Sequence, residues 1–305
     1  MPSQPVKNIA ASVRARLMTI ARQSGRDFDA VLLQYLQERF LYRLGQSPYK
    51  RHLILKGALL FLAYEMSLLR PTRDIDFLGT STPNDLEAVR DLIAEVAGLD
   101  FPDGAVFLPE TIRVERITED ADYAGIRVRL EARLTAARKV LQLDIGFGDV
   151  VVAGPMAIDF PVLLADQESP HLLVYSRESA IAEKFEALLS LSLLTSRMKD
   201  IYDILHLAER ETFSLATLRE AVLATFTRRA TRLEEHQVIF SPQFTANADK
   251  TSQWNAFLRR SRLESDLPLT EAMARLEAFI APVCAEQLDI ATWNPAAWRW
   301  EENSP

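Results

Sequence analysis

The sequence predicts an α+β fold. A mixed or antiparallel sheet with flanking helices occupies residues 1–165, and a helical domain follows over residues 166–305. Three observations carry this. Apolar residues keep helical spacing before residue 100, the period switches to two between residues 111 and 152, and helical spacing returns after Asp166.

The first helix has Ile9, Val13, Leu17 and Ile20 at helical spacing, and Ser24-Gly25 breaks it. Asp27 caps the second, whose stripe is Val31, Leu32, Tyr35, Leu36 and Phe40, with Gly45 to Pro48 closing it. An apolar run from Gly57 to Leu69 reads as a helix opening at Lys56-Gly57, and Pro71 stops it. Pro83-Asn84-Asp85 opens another helix, lined by Leu86, Val89, Leu92, Ile93 and Val96 and ended by Gly98. Three alternating runs follow: Ile112 and Val114; Ile126, Val128 and Leu130; Leu141, Leu143 and Ile145. Turn signals separate them, so they form a meander with one buried and one polar face. Pro155, Pro161 and Pro170 punctuate the stretch around the expected boundary near 165. The tail after Trp293 suggests no function.

Composition narrows the classes. Among 305 residues, 48% are hydrophobic and 25% charged, which excludes a disordered chain. A lone cysteine, Cys284, excludes a disulfide framework or cysteine-rich zinc site and suits a reducing cytoplasm. No secretory pattern opens the chain, and the longest apolar run is too short for a bilayer, so no membrane is expected. A net charge of −7 argues against a simple nucleic-acid coat, although a local basic surface remains compatible with it.

The chemistry converges on three features. Asp74 and Asp76 are two apart, so on a strand both carboxylates leave one face. Crowded carboxylates stay ionised together where a cation joins them, and hard divalent ions such as Mg2+ prefer such oxygens. Taken alone, the pair reads more often as a solvated strand end than as a site. Asp144 supplies a third acid on the polar face of a later strand, and three acids on one sheet can hold two Mg2+ ions for attack on phosphorus. Gly57 offers open backbone N–H groups to phosphate, and Thr72 places a hydroxyl beside Asp74. Lys184 interrupts the stripe of Ile181, Phe185 and Leu188; it suits a triphosphate, or it simply lays its stem on the apolar surface. Asp200 and Asp203 share one helix side and could orient Lys184, bind a ribose, or face water. The four histidines show no metal spacing.

In order, the chain shows K-G-A at Lys56, R-P-T-R-D-I-D-F from Arg70, Q-L-D-I-G-F-G-D around Asp144, A-E-K at Lys184 and R-M-K-D-I-Y-D from Arg197. This order resembles the AbiEii/AbiGii-type nucleotidyltransferase toxin family, within the DNA-polymerase-β-like superfamily. The resemblance covers roughly residues 50–205. It implies an enzyme that transfers nucleotides from an NTP to an RNA acceptor, tRNA 3′ ends above all, and so stops translation. It implies two Mg2+ ions on Asp74, Asp76 and Asp144, with Asp144 as base. It implies nucleotide contacts from Lys184, Lys56, Gly57, Arg70, Thr72 and Asp200, and a cognate antitoxin such as a winged-helix repressor. Ala58 departs from the Gly-Ser or Gly-Gly of such enzymes and removes a hydroxyl. Arg127, Arg129, Arg133, Arg228, Arg229, Arg232, Arg259, Arg260 and Arg262 are candidate RNA contacts. Two other readings stay open: a protein or small-molecule acceptor, and an inactive nucleotide-binding module.

Overall fold

The computed structural model describes residues 8–64, 72–118, 124–261, 263, 267–285 and 291–302. The chain forms two compact units, residues 1–148 with 156–174, and residues 149–155 with 175–305. The change of unit thus falls after Val174, not near 165, because the strand His171–Val174 belongs to the sheet of the first unit.

In the first unit, helices α1 (Ile9–Ser24) and α2 (Phe28–Gln46) precede strand β1 (Leu53–Lys56). Asn8 and Asp27 cap the two helices, and Gly25, at φ 64°, ends the first in the left-handed region that glycine tolerates. After β1 come a 3-10 turn (Gly57–Leu59), a short helix α3 (Leu60–Ala63), β2 (Asp74–Gly79) and α4 (Leu86–Gly98). The helix expected to Leu69 is therefore described only to Ala63, and Arg70 lies outside the described residues. The meander is β3 (Ala105–Thr118), β4 (Ala124–Leu134) and β5 (Ala137–Phe147), followed by β6 (Met156–Asp159) and β7 (His171–Val174). All seven strands make one mostly antiparallel sheet, ordered β3-β4-β5-β2-β1-β7-β6. Among the described residues, β2 with β5 and β1 with β7 pair in parallel and the other neighbours antiparallel. Strands β1, β6 and β7 escaped the sequence reading, since four-residue apolar runs carry too little alternation.

Helix α2 is buried over most of its surface, including Gln34, Gln37, Glu38, Arg39 and Arg43. Arg43 makes a forked pair with Asp103 (2.7 and 3.2 Å) and donates to the Leu99 and Ala105 carbonyls, so it fixes the turn from α4 into β3. The Tyr35 hydroxyl donates to the Asp103 carbonyl at 2.6 Å. Arg39 holds Gln167 and the Glu168 carbonyl, on the loop ahead of β7.

The second unit is helical. It contains α5 (Arg177–Ser190), α6 (Met198–Arg210), α7 (Leu215–Arg228), α8 (Pro242–Thr245), α9 (Ala248–Ser261) and α10 (Leu269–Cys284), and 3-10 turns at Ser192–Leu194 and Leu233–Phe240. The tail closes as a hairpin, β8 (Ala291–Asn294) with β9 (Arg299–Glu302). Trp293 is fully buried and donates to the Ala208 carbonyl on α6 at 2.7 Å, while Trp300 stacks on Phe279 of α10. The tryptophans thus clamp the helices of this unit. Among the described residues, no helix is long and apolar enough to cross a membrane.

Glu38 gives a stability prediction. Burial pushes its carboxyl up to about 7 from an ordinary 4.5, against the opposing pull of the Leu163 N–H, Gln34, Arg39 and Arg26. A raised acid pKa favours the protonated fold. That stabilisation is complete below pH 4.5 and is lost as pH rises through about 7. Glu38→Gln mimics the protonated form. Its melting temperature should gain on wild type across that window and level off above it; a constant difference across the window would show that Glu38 does not hold the proton.

Candidate active site

The polar face of the sheet is set by register. Lys56 of β1 is opposite Asp76 of β2, Asp76 opposite Asp144 of β5, Asp144 opposite Arg127 of β4, and Arg127 opposite Glu115 of β3. Directly opposed residues share a face, so these five form one cross-strand row. The neighbouring row on this face runs Asp74, Gln142, Arg129 and Arg113. Ile75, Phe77, Leu143 and Val128 face the other way and are fully buried. The alternation expected from the sequence is therefore present, and it brings Asp74, Asp76 and Asp144 onto one face.

Asp144 departs from expectation. It is not on a wet surface but only 6% exposed. Arg127 grips it with both branches, Nε to Oδ1 at 2.8 Å and Nη2 to Oδ2 at 2.7 Å, and the Gln142 amide donates at 3.2 Å. This bond to Asp144 holds the Arg127 guanidinium above its ordinary pKa, against the effect of burial. Arg127 is therefore engaged inward rather than offered to solvent.

Gly57 also has a different use. It sits at φ 68°, and a Cβ there would lie 1.9 Å from the Asp76 Oδ2. The missing side chain makes room for the Asp76 carboxylate, in a conformation only glycine adopts cheaply. Thr72 lies beside Asp74 as expected, but its hydroxyl donates to the Asp74 carbonyl at 3.3 Å. Lys56 is buried on the same row.

The second unit holds the other predicted residues. Lys184 on α5 donates to Asp200 at 3.0 Å and to Asp203 at 2.6 Å, both on α6. Its ammonium is thus anchored between two carboxylates, which excludes the reading of a lysine merely laying its stem on the core. Arg197 adds a bond to Asp200 at 2.9 Å. Burial alone would raise the Asp200 pKa, but Lys184, Lys199 and Arg197 outweigh it and hold the carboxyl below its ordinary value. Lys250 was not singled out from the sequence. It is buried and donates to the Thr195 carbonyl at 2.6 Å, and the Thr195 hydroxyl accepts from the Arg197 N–H. It thereby fixes the turn that presents Arg197, and only the lone cation in the α9 apolar stripe hinted at it.

The basic residues divide. Arg229 is half-buried against Glu183, Glu186 and Asp149, so its charge is engaged within its own unit. Arg133, Arg228, Arg232, Arg259 and Arg260 are exposed, and Arg129 pairs with Glu115 near the surface. Arg262 lies outside the described residues. Burial pushes the Cys284 thiol up to about 12, which removes it as a nucleophile.

Asp74, Asp76 and Asp144 supply only hard oxygen donors from adjacent strands, a set whose chemistry fits a divalent cation. Among the described residues, however, no three acid, histidine or cysteine side chains already stand together as a metal group. Asp144 spends both oxygens on Arg127.

Paired carboxylates beside a glycine turn thus stand on an α+β sheet, in a chain whose second unit is helical. The profile of the AbiEii toxin nucleotidyl transferases, of type IV toxin–antitoxin systems, matches residues 39–281, and the chain belongs to that family. Membership implies a nucleotide substrate and an antitoxin partner. Among solved structures the chain is similar to a Helicobacter pylori protein provisionally described as a nucleotidyltransferase. The two share 16% identity with a TM-score of 0.46, over 85% of this chain and 96% of that one. It is also similar to JHP933 from Helicobacter pylori, at 14% identity and a TM-score of 0.41, over 85% of this chain and 99% of that one. No curated protein matches the chain.

Two substitutions test these placements. Gly57→Ala forces a Cβ against the Asp76 carboxylate and should cost ~1–2 kcal/mol in the left-handed backbone alone. Nucleotide transfer should fall with it; unchanged melting and unchanged transfer would contradict the contact. Lys184→Met keeps the stem and leaves Asp200 and Asp203 without their shared cation. It should lose ~3 kcal/mol, the lower end for breaking a buried pair. A loss of only a few tenths in denaturant melts would show that the pair carries no stability.

Proposed function

We propose that the protein is a divalent-cation-dependent nucleotidyltransferase whose donor is an NTP and whose acceptor is an RNA 3′ end, tRNA first among candidates, so that its action blocks translation. The observation that carries this is the register that opposes Asp76 to Asp144 with Asp74 one row away, on a face that continues into arginines.

Asp74, Asp76 and Asp144 would hold Mg2+, as two ions. Bound there, the ions would neutralise charge on the NTP phosphates and sharpen the attacking hydroxyl. The chain's own residues do the rest. Gly57 leaves the Asp76 carboxylate in place. An Asp144 carboxylate oxygen accepts the proton of the acceptor 3′-hydroxyl. The Lys184 ammonium, preset by Asp200 and Asp203, serves as a point charge for phosphate. The arginine-bearing face favours a polyanionic acceptor over a protein or small molecule. The charge-bearing residues are all present, which disfavours an inactive binding module. A cognate antitoxin, a winged-helix repressor by family resemblance, would be the protein partner.

The direct test incubates the protein with each radiolabelled NTP, Mg2+ and total RNA, and resolves the products on a gel. Label should enter a tRNA-sized band. Asp74→Ala and Asp76→Ala should each abolish it, while a cooperative thermal melt shows that the fold is kept. Full labelling by both variants would remove the metal assignment, and label appearing only on protein would replace RNA as the acceptor.

A further inference from the structure

The face that carries the acids also carries a basic track. Beside Arg127 the register places Arg129 and Arg113, and further along β4 and β5 Arg133 is opposite Arg138. Arg113, Arg133 and Arg138 are on the solvent side of the sheet, at least partly exposed. Arg127 stands where the acidic and basic parts meet. Its side chain is 28% exposed while that of Asp144 is 7% exposed, so the guanidinium has an outward path that the carboxylate lacks.

A guanidinium in this fork satisfies both Asp144 oxygens, which are the atoms a divalent cation would need. A divalent cation can therefore take Asp144 only by displacing at least one of the two Arg127 bonds. Arg127 thus neutralises the buried Asp144 charge from within the sheet. Once displaced it would stand opposite Glu115, which already pairs with Arg129, so Arg113, Arg127 and Arg129 would share one carboxylate and leave positive charge in excess. An anion completes that arrangement, and a phosphodiester chain can span several arginines at once where a single triphosphate cannot.

We propose that Arg127 is an exchanging positioning residue: it closes on Asp144 in the metal-free protein and, when a divalent cation takes Asp144, turns to a backbone phosphate of a polynucleotide acceptor lying along Arg129 and Arg113. This rests on Asp74, Asp76 and Asp144 being the cation site. It makes cation loading a precondition for tight acceptor binding, so the empty enzyme does not sequester RNA.

The test uses the full chain without NTP, so no turnover intervenes. Mn2+ binding is read by electron paramagnetic resonance. Binding of a short labelled oligoribonucleotide is read by fluorescence anisotropy at fixed ionic strength. In wild type, Mn2+ should tighten RNA binding about tenfold, the scale of one additional arginine–phosphate pair. Arg127→Gln should bind Mn2+ about tenfold more tightly, because a competing cation is gone. It should bind RNA weakly, with no response to Mn2+. Asp144→Asn, which removes the charge and one of the two acceptors that hold Arg127, should bind RNA without Mn2+ nearly as well as Mn2+-loaded wild type does. Arg127→Lys keeps the charge, loses the fork and should fall between the two, and it replaces Arg127→Gln if that variant does not fold. The exchange is overturned if Arg127→Gln keeps the wild-type RNA response or the wild-type Mn2+ affinity, or if Asp144→Asn still needs Mn2+. Wild type that binds no RNA at any Mn2+ level overturns the RNA acceptor and the phosphate half of the exchange together. The pattern appearing with a non-hydrolysable NTP in place of RNA would assign the phosphate to the nucleotide and overturn the acceptor contact.

Discussion

The parallel register of β2 on β5 is the constraint on which the site depends. It opposes Asp76 to Asp144 and Phe77 to Ile145. A slip of one residue would carry Asp144 into the core and expose Ile145, because side chains alternate with a period of two. Packing prevents it: Ile75, Leu143 and Val128 align in one buried row, and Phe77, Ile145 and Ile126 in another. The same rows on the opposite face crowd acids, and crowded acids need cations. Lys56 on one side and Arg127 on the other flank them, so the sheet meets its electrostatic requirement from within before any ion binds.

Helix α2 supports that sheet with buried polar groups rather than with an apolar stripe alone. Arg43 and Asp103, 1% and 5% exposed, form a pair whose rupture would leave an unpaired buried charge at a cost of ~3–5 kcal/mol. Its partners are loop carbonyls as well as a carboxylate, so it pins the chain where α4 hands over to β3. Glu38 similarly accepts from the Leu163 N–H. Geometry at the site is thus held by charged groups on a helix whose sequence reads as ordinary amphipathic packing.

The second unit follows the same logic. Lys184 is fixed by two carboxylates of α6, Arg197 braces one of them, and Lys250 fixes the turn before Arg197. The Trp293 and Trp300 hairpin closes on α6 and α10. Side chains that look like a basic surface in one dimension are partly internal: Arg229 joins three acids of its own unit.

The α+β class, the helix cap at Asp27, the opening of α4 at Asp85, the meander, and the shared strand face of Asp74 and Asp76 were legible in one dimension. Each follows from local rules: capping geometry, spacing and alternation. The sequence also carried the ordered motifs that mark the family. The remainder depends on contacts between segments far apart in the chain. Strand β1 became visible through pairing, because four residues hold too little period to show themselves. Gly57 proved to be a gap for Asp76, a contact between residues distant in sequence. Asp144 is on the polar face as its alternation required, yet burial there depends on Arg127, and that partner is chosen by the register of β4 on β5. Alternation fixes which face a side chain takes; only the neighbouring strand fixes what stands opposite it.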